Sequence, residues 1–311
     1  MQKEVLLRCH TQILPYIHRT PIFTSKSINR MSKADIHFKC ENFQKGGAYK
    51  MRGATHAVLQ LTDVQRDKGV VTHSSGNFAQ ALSLAAKNSG CDAFIVMPST
   101  APQVKKDAVA EYGGKIIECE PTLAAREAAA KTIEQETGAT FIHPSNDLNV
   151  IIGQGTAAME LLEEQPDLNF IIVPVGGGGL IAGTGLAAHY FGNACKVIGG
   201  EPFEVDDAFR SLKSGKIESN ETANTIADGL KTQLGDTSFP IMQRYVDSII
   251  RVTEAEIVTA MRLIWERMKI VVEPSSAVAL AAVLSDKNRF TGKKVGIIIS
   301  GGNVDLKKLP F

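Results

Sequence analysis

Short runs of β-branched and other apolar residues alternate along this chain with longer, Ala-rich segments of helical periodicity. Runs of this length, bounded by glycine and polar residues, predict buried strands at residues 69–72, 93–98, 170–175 and 294–299. The longer segments predict helices at residues 78–88, 122–137, 156–164 and 254–268. Strand, loop and helix in this alternation favour an α/β fold with open, mainly parallel, twisted sheets and helices on both faces.

The length of the chain, 311 residues, is enough for two lobes that each have their own core. The sequence contains no internal repeat and no Pro-, Gly- or Ser-rich linker that would separate consecutive domains. We therefore expect two lobes that are interleaved in sequence. In sheets of this kind ligands bind at the carboxyl ends of the strands, so the residues directly after each strand are the candidates for chemistry.

Composition narrows the choice of partners. A formal net charge of +1 gives no indication of a nucleic-acid partner or an acidic membrane surface. The five cysteines are widely spaced, form no CxxC pair and are typical of reduced thiols, and the first residues lack a signal-peptide core, so we expect a cytoplasmic protein. The histidines lack metal-site spacing such as H-E-x-x-H, and no serine stands in G-x-S-x-G, which disfavours a catalytic transition metal and an α/β-hydrolase.

A run of four glycines follows one of the most apolar predicted strands: Gly176, Gly177, Gly178 and Gly179. Such a run is costly in conformational entropy, and it is useful where consecutive backbone N–H groups close on an anion at the start of the next helix. A phosphate group is the natural ligand. The dinucleotide fingerprint is excluded, because Ile181 and Ala182 occupy the positions of its third glycine. A merely flexible turn between strand and helix remains the alternative.

Lys50 follows two glycines at the predicted start of a helix. A helix N-terminus is unfavourable for a cation and lowers the pKa of an amine. A lysine that forms a Schiff base must present a neutral amine, so this position suits that chemistry. Considered alone, a solvated surface lysine is the more ordinary interpretation.

A third loop lies between a predicted strand and a predicted helix and consists of Ser74, Ser75, Gly76 and Asn77. Two hydroxyl groups, an amide and the free N–H groups of a helix start form a pocket for a carboxylate. A plain helix N-cap explains the same residues when the loop is considered by itself.

Together these loops resemble those of the fold type II pyridoxal-phosphate enzymes, and most closely the serine/threonine dehydratases (threonine ammonia-lyases) and the serine racemases. The resemblance covers nearly the whole chain and includes residues 50–54, 74–77, 153–156, 176–179 and 300–305, in that order. It implies a tryptophan synthase β-like fold, with a large cofactor-binding lobe from residues 1–52 and 147–311 and a small, mobile substrate lobe from residues 53–146. A homodimer is usual in the family and is expected here.

The resemblance also implies individual roles. Lys50 holds pyridoxal 5′-phosphate as a Schiff base and later acts as the base on the substrate α-carbon. The four glycines and the Leu180 amide bind the cofactor phosphate, Asn77 binds the 3′-oxygen, Phe43 lies against the ring, and Ser300 faces the ring nitrogen. A hydroxyl partner does not force the ring nitrogen to be protonated as a carboxylate would, so the ring withdraws electrons more mildly, which favours elimination.

The substrate implied by the resemblance is a small amino acid. Ser74, Ser75, Gly76 and Asn77 cradle its carboxylate, and Ser75 matches the acid/base of the racemases on the face opposite the lysine. Arg126 matches a residue at the mouth of the racemase active site, and a surface arginine is an equally good interpretation.

A divalent cation is implied by a less specific match. Glu201, Asp207 and the carbonyl of Val205 match the cation loop of the family, and hard oxygen ligands suit Mg²⁺, Ca²⁺ or Mn²⁺. A solvated acidic loop is the alternative.

The activity expected from the resemblance is dehydration and deamination of L-threonine or L-serine, to 2-oxobutyrate or pyruvate plus ammonia. Phe78 stands where these enzymes usually carry histidine and favours elimination over racemization. A serine racemase with side dehydratase activity and a 3-hydroxyaspartate dehydratase are the alternatives. A cysteine synthase is disfavoured, because its substrate loop typically reads Thr-Ser-Gly-Asn-Thr-Gly, whereas residues 74–79 here read Ser-Ser-Gly-Asn-Phe-Ala. Retention of Lys50 argues against a non-catalytic ligand-binding relative.

Overall fold

A computed structural model describes residues 2–311 and contains two sheets. The strands are β1 (Ile22–Phe23), β2 (Asp35–Cys40), β3 (Val70–His73), β4 (Ala93–Pro98), β5 (Lys115–Cys119), β6 (Thr140–Phe141), β7 (Phe170–Pro174), β8 (Lys196–Pro202), β9 (Ser248–Val252) and β10 (Lys294–Ile299). The larger sheet has the order β1-β2-β10-β7-β8-β9, and the smaller one has the order β5-β4-β3-β6. All neighbouring strands are parallel except β1 and β2, which confirms the mainly parallel sheets.

The helices separate the strands along the chain. They are α1 (Lys3–Ile13), α2 (Lys26–Ser32), α3 (Lys50–Leu59), α4 (Asp63–Lys68), α5 (Asn77–Asn88), α6 (Gln103–Glu111), α7 (Leu123–Thr137), α8 (Leu148–Glu164), α9 (Gly179–Phe191), α10 (Asp207–Ser214), α11 (Ser238–Tyr245), α12 (Glu254–Met268), α13 (Pro274–Ser285) and α14 (Lys287–Phe290). Within residues 2–311, none of these helices combines the length and apolar character needed to cross a membrane.

Both faces of the larger sheet are covered. Side chains alternate across a strand, so Ile171 and Val173 of β7 pack with residues of α8 and α9, whereas Ile172 packs with residues of α12 and α13. The smaller sheet divides in the same way, with Val70 in the cluster that contains α5 and Val71 in the cluster that contains Ala130 of α7. A fully buried strand leaves no polar positions, which is why β7 and β10 were recognisable as short apolar runs.

The predicted helix at residues 156–164 is wrong at its start, because α8 begins at Leu148. The Asp147 side chain accepts hydrogen bonds from the backbone N–H groups of Asn149 and Val150 and caps the helix there. Gly153 and Gly155 lie in the first half of α8 and allow helix packing: a Cβ on Gly153 would lie 2.6 Å from the Gly53 Cα atom of α3.

A buried group of charges joins α3 to the rest of the large sheet. The Arg52 guanidinium donates to both oxygens of Glu41 and to both oxygens of Glu160, each at 2.8 Å. Lys39 Nζ lies 2.7 Å from Glu160 Oε2, and His10 Nε2 donates to Glu160 Oε1 at 2.9 Å. Two cations and two carboxylates therefore balance, with Arg52, Lys39, Glu41 and Glu160 all fully buried. The network holds the first turn of α3, where Lys50 lies.

Candidate active site

Lys50 is the first residue of α3, as the sequence predicts. Gly46 and Gly47, both with φ of 70°, turn the chain into this helix. The half-buried Lys50 Nζ donates to the Pro144 carbonyl at 2.7 Å and lies 5.7 Å from the centre of the Phe78 ring. Burial lowers the pKa of the Lys50 amine to about 8, and the nearby Glu273 carboxylate opposes this shift. Desolvation, rather than the helix dipole alone, thus brings the amine toward its neutral form.

The four-glycine loop joins β7 to α9, again as predicted. Gly178 has a φ of 82°, which favours glycine. A Cβ would lie 2.2 Å from Ser145 Oγ if built on Gly177 and 2.8 Å from the Ser145 carbonyl if built on Gly179, so the loop has no room for side chains. The first backbone N–H groups of a helix have no hydrogen-bond partner within the helix. The four-glycine loop ends at Gly179, the first residue of α9, so these N–H groups lie at the loop. The geometry fits a phosphate bound by backbone alone.

The loop of Ser74, Ser75 and Gly76 connects β3 to α5, and α5 begins at Asn77. These loop residues are half-buried. Asn77 Nδ2 donates to the Glu273 carboxylate at 2.9 and 3.1 Å, while Asn77 Oδ1 accepts from Asn303 Nδ2 at 2.9 Å. These hydrogen bonds join α5, which packs on the smaller sheet, to Glu273 before α13 and to Asn303 after β10.

Ser300 directly follows β10 and is buried. Its Oγ lies 2.9 Å from Ser276 Oγ, and its carbonyl accepts from the Tyr49 N–H at 2.9 Å, one residue before the lysine. The structure therefore brings Lys50, the four-glycine loop, Asn77 and Ser300 to the carboxyl-end edges of the two sheets, where ligands bind in α/β folds.

Sequence reasoning missed Glu273, which is only 4% exposed and precedes Pro274, the first residue of α13. Burial and the charge of Asp228 raise the pKa of Glu273 to about 7, and the hydrogen bond from Asn77 opposes the shift. In the sequence, Glu273 is visible only as an acidic residue before a proline that starts an Ala-rich helix. This pattern is common at helix N-termini, so it does not indicate a functional site.

Two predicted contacts have different surroundings. The Phe43 ring is 43% exposed and packs edge-on against Phe23 at 5.9 Å between centroids. Arg126 lies in the first turn of α7, where its Nε donates to the Thr122 carbonyl at 3.4 Å. Burial lowers the pKa of His73, the residue that precedes Ser74, and the charge of Arg126 adds to this shift.

The predicted cation loop brings together two fully buried carboxylates, Glu201 and Asp207. Glu201 accepts from the N–H groups of Ala208 and Phe209 at 3.0 and 2.9 Å. Burial raises the pKa of Asp207 to about 6. In residues 2–311 no cluster of three or more His, Cys, Asp or Glu side chains is arranged as a metal site.

Comparison with known proteins decides the family. The model of the pyridoxal-phosphate dependent enzymes matches residues 13–301. The chain belongs to this family. It is 50% identical over 308 residues to a beta-hydroxyaspartate dehydratase from Paracoccus denitrificans, which covers 99% of this chain and 98% of the relative. It is also 50% identical to a serine racemase from Arabidopsis thaliana, over 96% of this chain and 92% of the relative.

A solved structure of serine racemase from Dictyostelium discoideum has a TM-score of 0.93 and 48% identity, and the match covers 97% of this chain and 98% of that one. The fold is therefore that of the fold type II pyridoxal-phosphate enzymes, as predicted. The relatives favour the racemase and hydroxyaspartate alternatives over the main expectation of a threonine or serine dehydratase. The site fits the cofactor of the family, because the pKa of Lys50 is lowered and the four-glycine loop offers backbone N–H groups without side chains.

Proposed function

We propose that this chain eliminates water from 3-hydroxyaspartate, after which one water hydrolyses the released imine, so that the net products are oxaloacetate and ammonia. The observation that carries the proposal is Arg126, a half-buried guanidinium near His73 and the loop that begins at Ser74. Within the described residues, no carboxylate forms an ion pair with Arg126. A serine or threonine substrate has one carboxylate, whereas 3-hydroxyaspartate has a second one that a guanidinium can bind in a bidentate manner. The relationship to the hydroxyaspartate dehydratase adds support.

Bound pyridoxal phosphate would supply the electron sink that makes the substrate α-proton acidic. Gly176, Gly177, Gly178, Gly179 and the Leu180 amide would hold its phosphate, with Asn77 at the 3′-oxygen and Ser300 at the ring nitrogen. The roles of the chain follow from position. The Ser74–Ser75–Gly76–Asn77 loop would hold the α-carboxylate and Arg126 the β-carboxylate. Lys50, with its pKa lowered to about 8, would take the α-proton, after which the β-hydroxyl group leaves.

Serine racemization is the second candidate, and Ser75 is the residue that favours it. Ser75 is half-buried in the loop before α5, whereas Lys50 is the first residue of α3. Racemization needs a proton donor on the face opposite the base, and Ser75 would be that donor. The relationship to the plant racemase supports this candidate.

A substrate panel separates the two functions. The wild-type protein should release oxaloacetate from 3-hydroxyaspartate with a higher kcat/KM than it shows for release of pyruvate from L-serine or 2-oxobutyrate from L-threonine. Coupled dehydrogenase assays measure the keto acids, and chiral chromatography measures D-serine. Formation of D-serine from L-serine at a higher kcat/KM than any keto-acid release would replace the dehydratase proposal with the racemase.

Arg126→Met should lower kcat/KM for 3-hydroxyaspartate by roughly 10- to 150-fold, because a hydrogen bond to a charged group contributes about 1.5–3 kcal/mol. The kcat/KM for L-serine should stay within a factor of about two, since serine lacks the second carboxylate. Lys131→Met is the matched control, because it removes a positive charge from the exposed part of the same helix. Equal losses on both substrates would show that Arg126 does not select a dicarboxylate.

We infer further that Glu201, Asp207 and the Val205 carbonyl bind Mg²⁺, Ca²⁺ or Mn²⁺. The Asp206 carboxylate forms ion pairs with the guanidinium groups of Arg210 and Arg251, at 2.7 and 2.8 Å. The buried carboxylates of Glu201 and Asp207 accept hydrogen bonds from backbone and amide N–H groups. Burial, with the charge of Asp207 as a second cause, raises the pKa of the Glu201 carboxylate well above its usual value. A hard cation would relieve this repulsion.

Chelation should therefore destabilise the protein. A cation that binds only the folded state at 100 times its Kd contributes about 2.7 kcal/mol, so excess chelator should lower the melting temperature. Asp207→Ala should melt at the same temperature with and without chelator. If the wild-type melting temperature is also unchanged by chelator, the loop holds no cation.

A further inference from the structure

A second buried serine, Ser276, contacts the hydroxyl group of Ser300. Ser276 is the third residue of α13 and is fully buried, and Ser300, which follows β10, is only 3% exposed. Their Oγ atoms are 2.9 Å apart. Ser276 Oγ also meets the backbone of Gly301 twice: it accepts from the Gly301 N–H at 2.7 Å and lies 2.7 Å from the Gly301 carbonyl oxygen.

The direction of each hydrogen bond follows from a count of hydrogens. A hydroxyl group has one hydrogen to donate and two lone pairs that accept. A carbonyl oxygen has no hydrogen, so the hydrogen in the 2.7 Å contact with the Gly301 carbonyl must be that of Ser276. The hydrogen in the 2.9 Å contact between the two serines must then come from Ser300. Ser276 thus donates once and accepts twice, which uses its full capacity.

The reverse direction is unfavourable. If Ser276 donated to Ser300, its oxygen and the Gly301 carbonyl oxygen would face each other at 2.7 Å with no hydrogen between them. Both atoms belong to a buried group, where an unmade hydrogen bond costs most because water cannot replace it. The backbone of Gly301 therefore fixes the hydrogen of Ser276, and Ser276 in turn fixes the hydrogen of Ser300.

This direction determines what Ser300 can offer to a ligand. Under the proposed function, Ser300 lies at the ring nitrogen of pyridoxal phosphate. A hydroxyl group that has already donated its hydrogen offers only a lone pair, which favours a protonated nitrogen over an unprotonated one. A serine without such a neighbour could donate to the unprotonated nitrogen instead. The second serine therefore removes a choice that Ser300 alone would leave open.

We propose that Ser276 is a positioning residue that accepts the hydrogen of Ser300, so that Ser300 accepts a hydrogen bond from a protonated ring nitrogen of the bound cofactor. The inference rests on the proposed function for the place of Ser300, and it does not depend on which substrate the protein uses. A protonated ring withdraws electrons more strongly and makes the substrate α-proton more acidic. Ser276 thus assists proton removal by Lys50 through Ser300. The milder withdrawal expected of a single serine should appear only when Ser276 is replaced.

Protonation of the ring nitrogen can be measured without turnover. The holoenzyme is prepared with pyridoxal phosphate that carries ¹⁵N in its ring. ¹⁵N NMR at pH 7 should show a protonated nitrogen in the wild-type protein and an unprotonated one in Ser276→Ala, where the hydrogen of Ser300 is free to turn to the nitrogen. Ser276→Cys should also give an unprotonated nitrogen, because a thiol fills the same place but is only a weak acceptor.

Ser275→Ala is the matched control. Ser275 is the preceding residue of the same helix and is also buried, but its Oγ accepts from the Gly229 N–H at 3.0 Å. The ring nitrogen should stay protonated in this variant. An unprotonated nitrogen in the wild-type protein would overturn the proposal. A nitrogen that stays protonated in Ser276→Ala or Ser276→Cys would overturn it as well, because Ser276 would then not control Ser300.

Exchange of an α-proton connects the spectrum to the chemistry. L-Alanine has no β-hydroxyl group, so exchange of its α-proton with deuterium from D₂O reports proton removal alone. This exchange should be slower in Ser276→Ala than in Ser275→Ala, and the ratio of keto-acid release to exchange should rise. Equal exchange rates in the two variants would overturn the role of Ser276 in proton removal. A preference for L-serine in the substrate panel would remove 3-hydroxyaspartate as the substrate and would leave the NMR result unchanged.

Discussion

Lys50→Ala should lose keto-acid formation and α-proton exchange together, each by at least about 10³-fold, because one amine both holds the cofactor and takes the α-proton. After incubation with pyridoxal phosphate, borohydride reduction and peptide mapping should place the pyridoxyl group on Lys50 in the wild-type protein. The lowered pKa of Lys50, about 8, favours this amine over the exposed lysines. A pyridoxyl group on a different lysine of the wild-type protein would overturn the assignment.

Ser75→Ala is the matched control for Lys50→Ala, since both remove a polar group from the candidate site. Its effect should be selective. Formation of a D-amino acid from L-serine should be lost, while much of the keto-acid release should remain, because elimination needs no proton donor on the face of Ser75. Loss of both activities in Ser75→Ala would mean that the serine acts in carboxylate binding rather than as an acid.

Arg52→Met should destabilise the fold by about 3–5 kcal/mol, because it leaves the buried Glu41 and Glu160 carboxylates without their main counter-charge. Urea denaturation of the cofactor-free protein measures this change. Since Arg52 holds the first turn of α3, which begins at Lys50, the affinity for pyridoxal phosphate should fall as well. A free energy of unfolding within about 1 kcal/mol of wild type would show that the network contributes little to stability.

Arg19→Met is the appropriate control for the buried network. Arg19 also bonds two glutamates, with Nη2 lying 3.0 Å from Glu163 and 3.2 Å from Glu164, but its side chain is 42% exposed. Solvent-exposed ion pairs contribute about 0–1 kcal/mol, so the same chemical change should have a small effect here. Comparison of the two variants therefore isolates the cost of leaving a carboxylate buried and unpaired.

Local sequence was a good guide to elements and loops. Short apolar runs identified β7 and β10 because strands buried on both faces have few polar positions. The four-glycine loop and Lys50 were identifiable because each places an unusual residue at a strand-to-helix junction. The start of α8 was not identifiable from the sequence, because Gly153 and Gly155 lie in its interior and glycine is locally unfavourable in a helix. They are retained where another helix approaches, as α3 approaches Gly153.

The contacts that complete the site depend on residues distant in sequence. Glu273 is 196 positions from Asn77, yet its carboxylate fixes the orientation of that amide.

The sequence by itself determined the α/β class and the family, and it predicted the phosphate loop and the reactive lysine, because these depend on residue types within short segments. Tertiary structure decided what surrounds them: the burial that brings Lys50 toward neutrality, the hydrogen bonds that join Asn77 to Glu273 and Asn303, and the position of Arg126, which forms no ion pair within residues 2–311. Desolvation, charge and hydrogen-bond partners act through space over a few ångströms. Which residues come that close is set by the packing of the two sheets, and no local pattern encodes it.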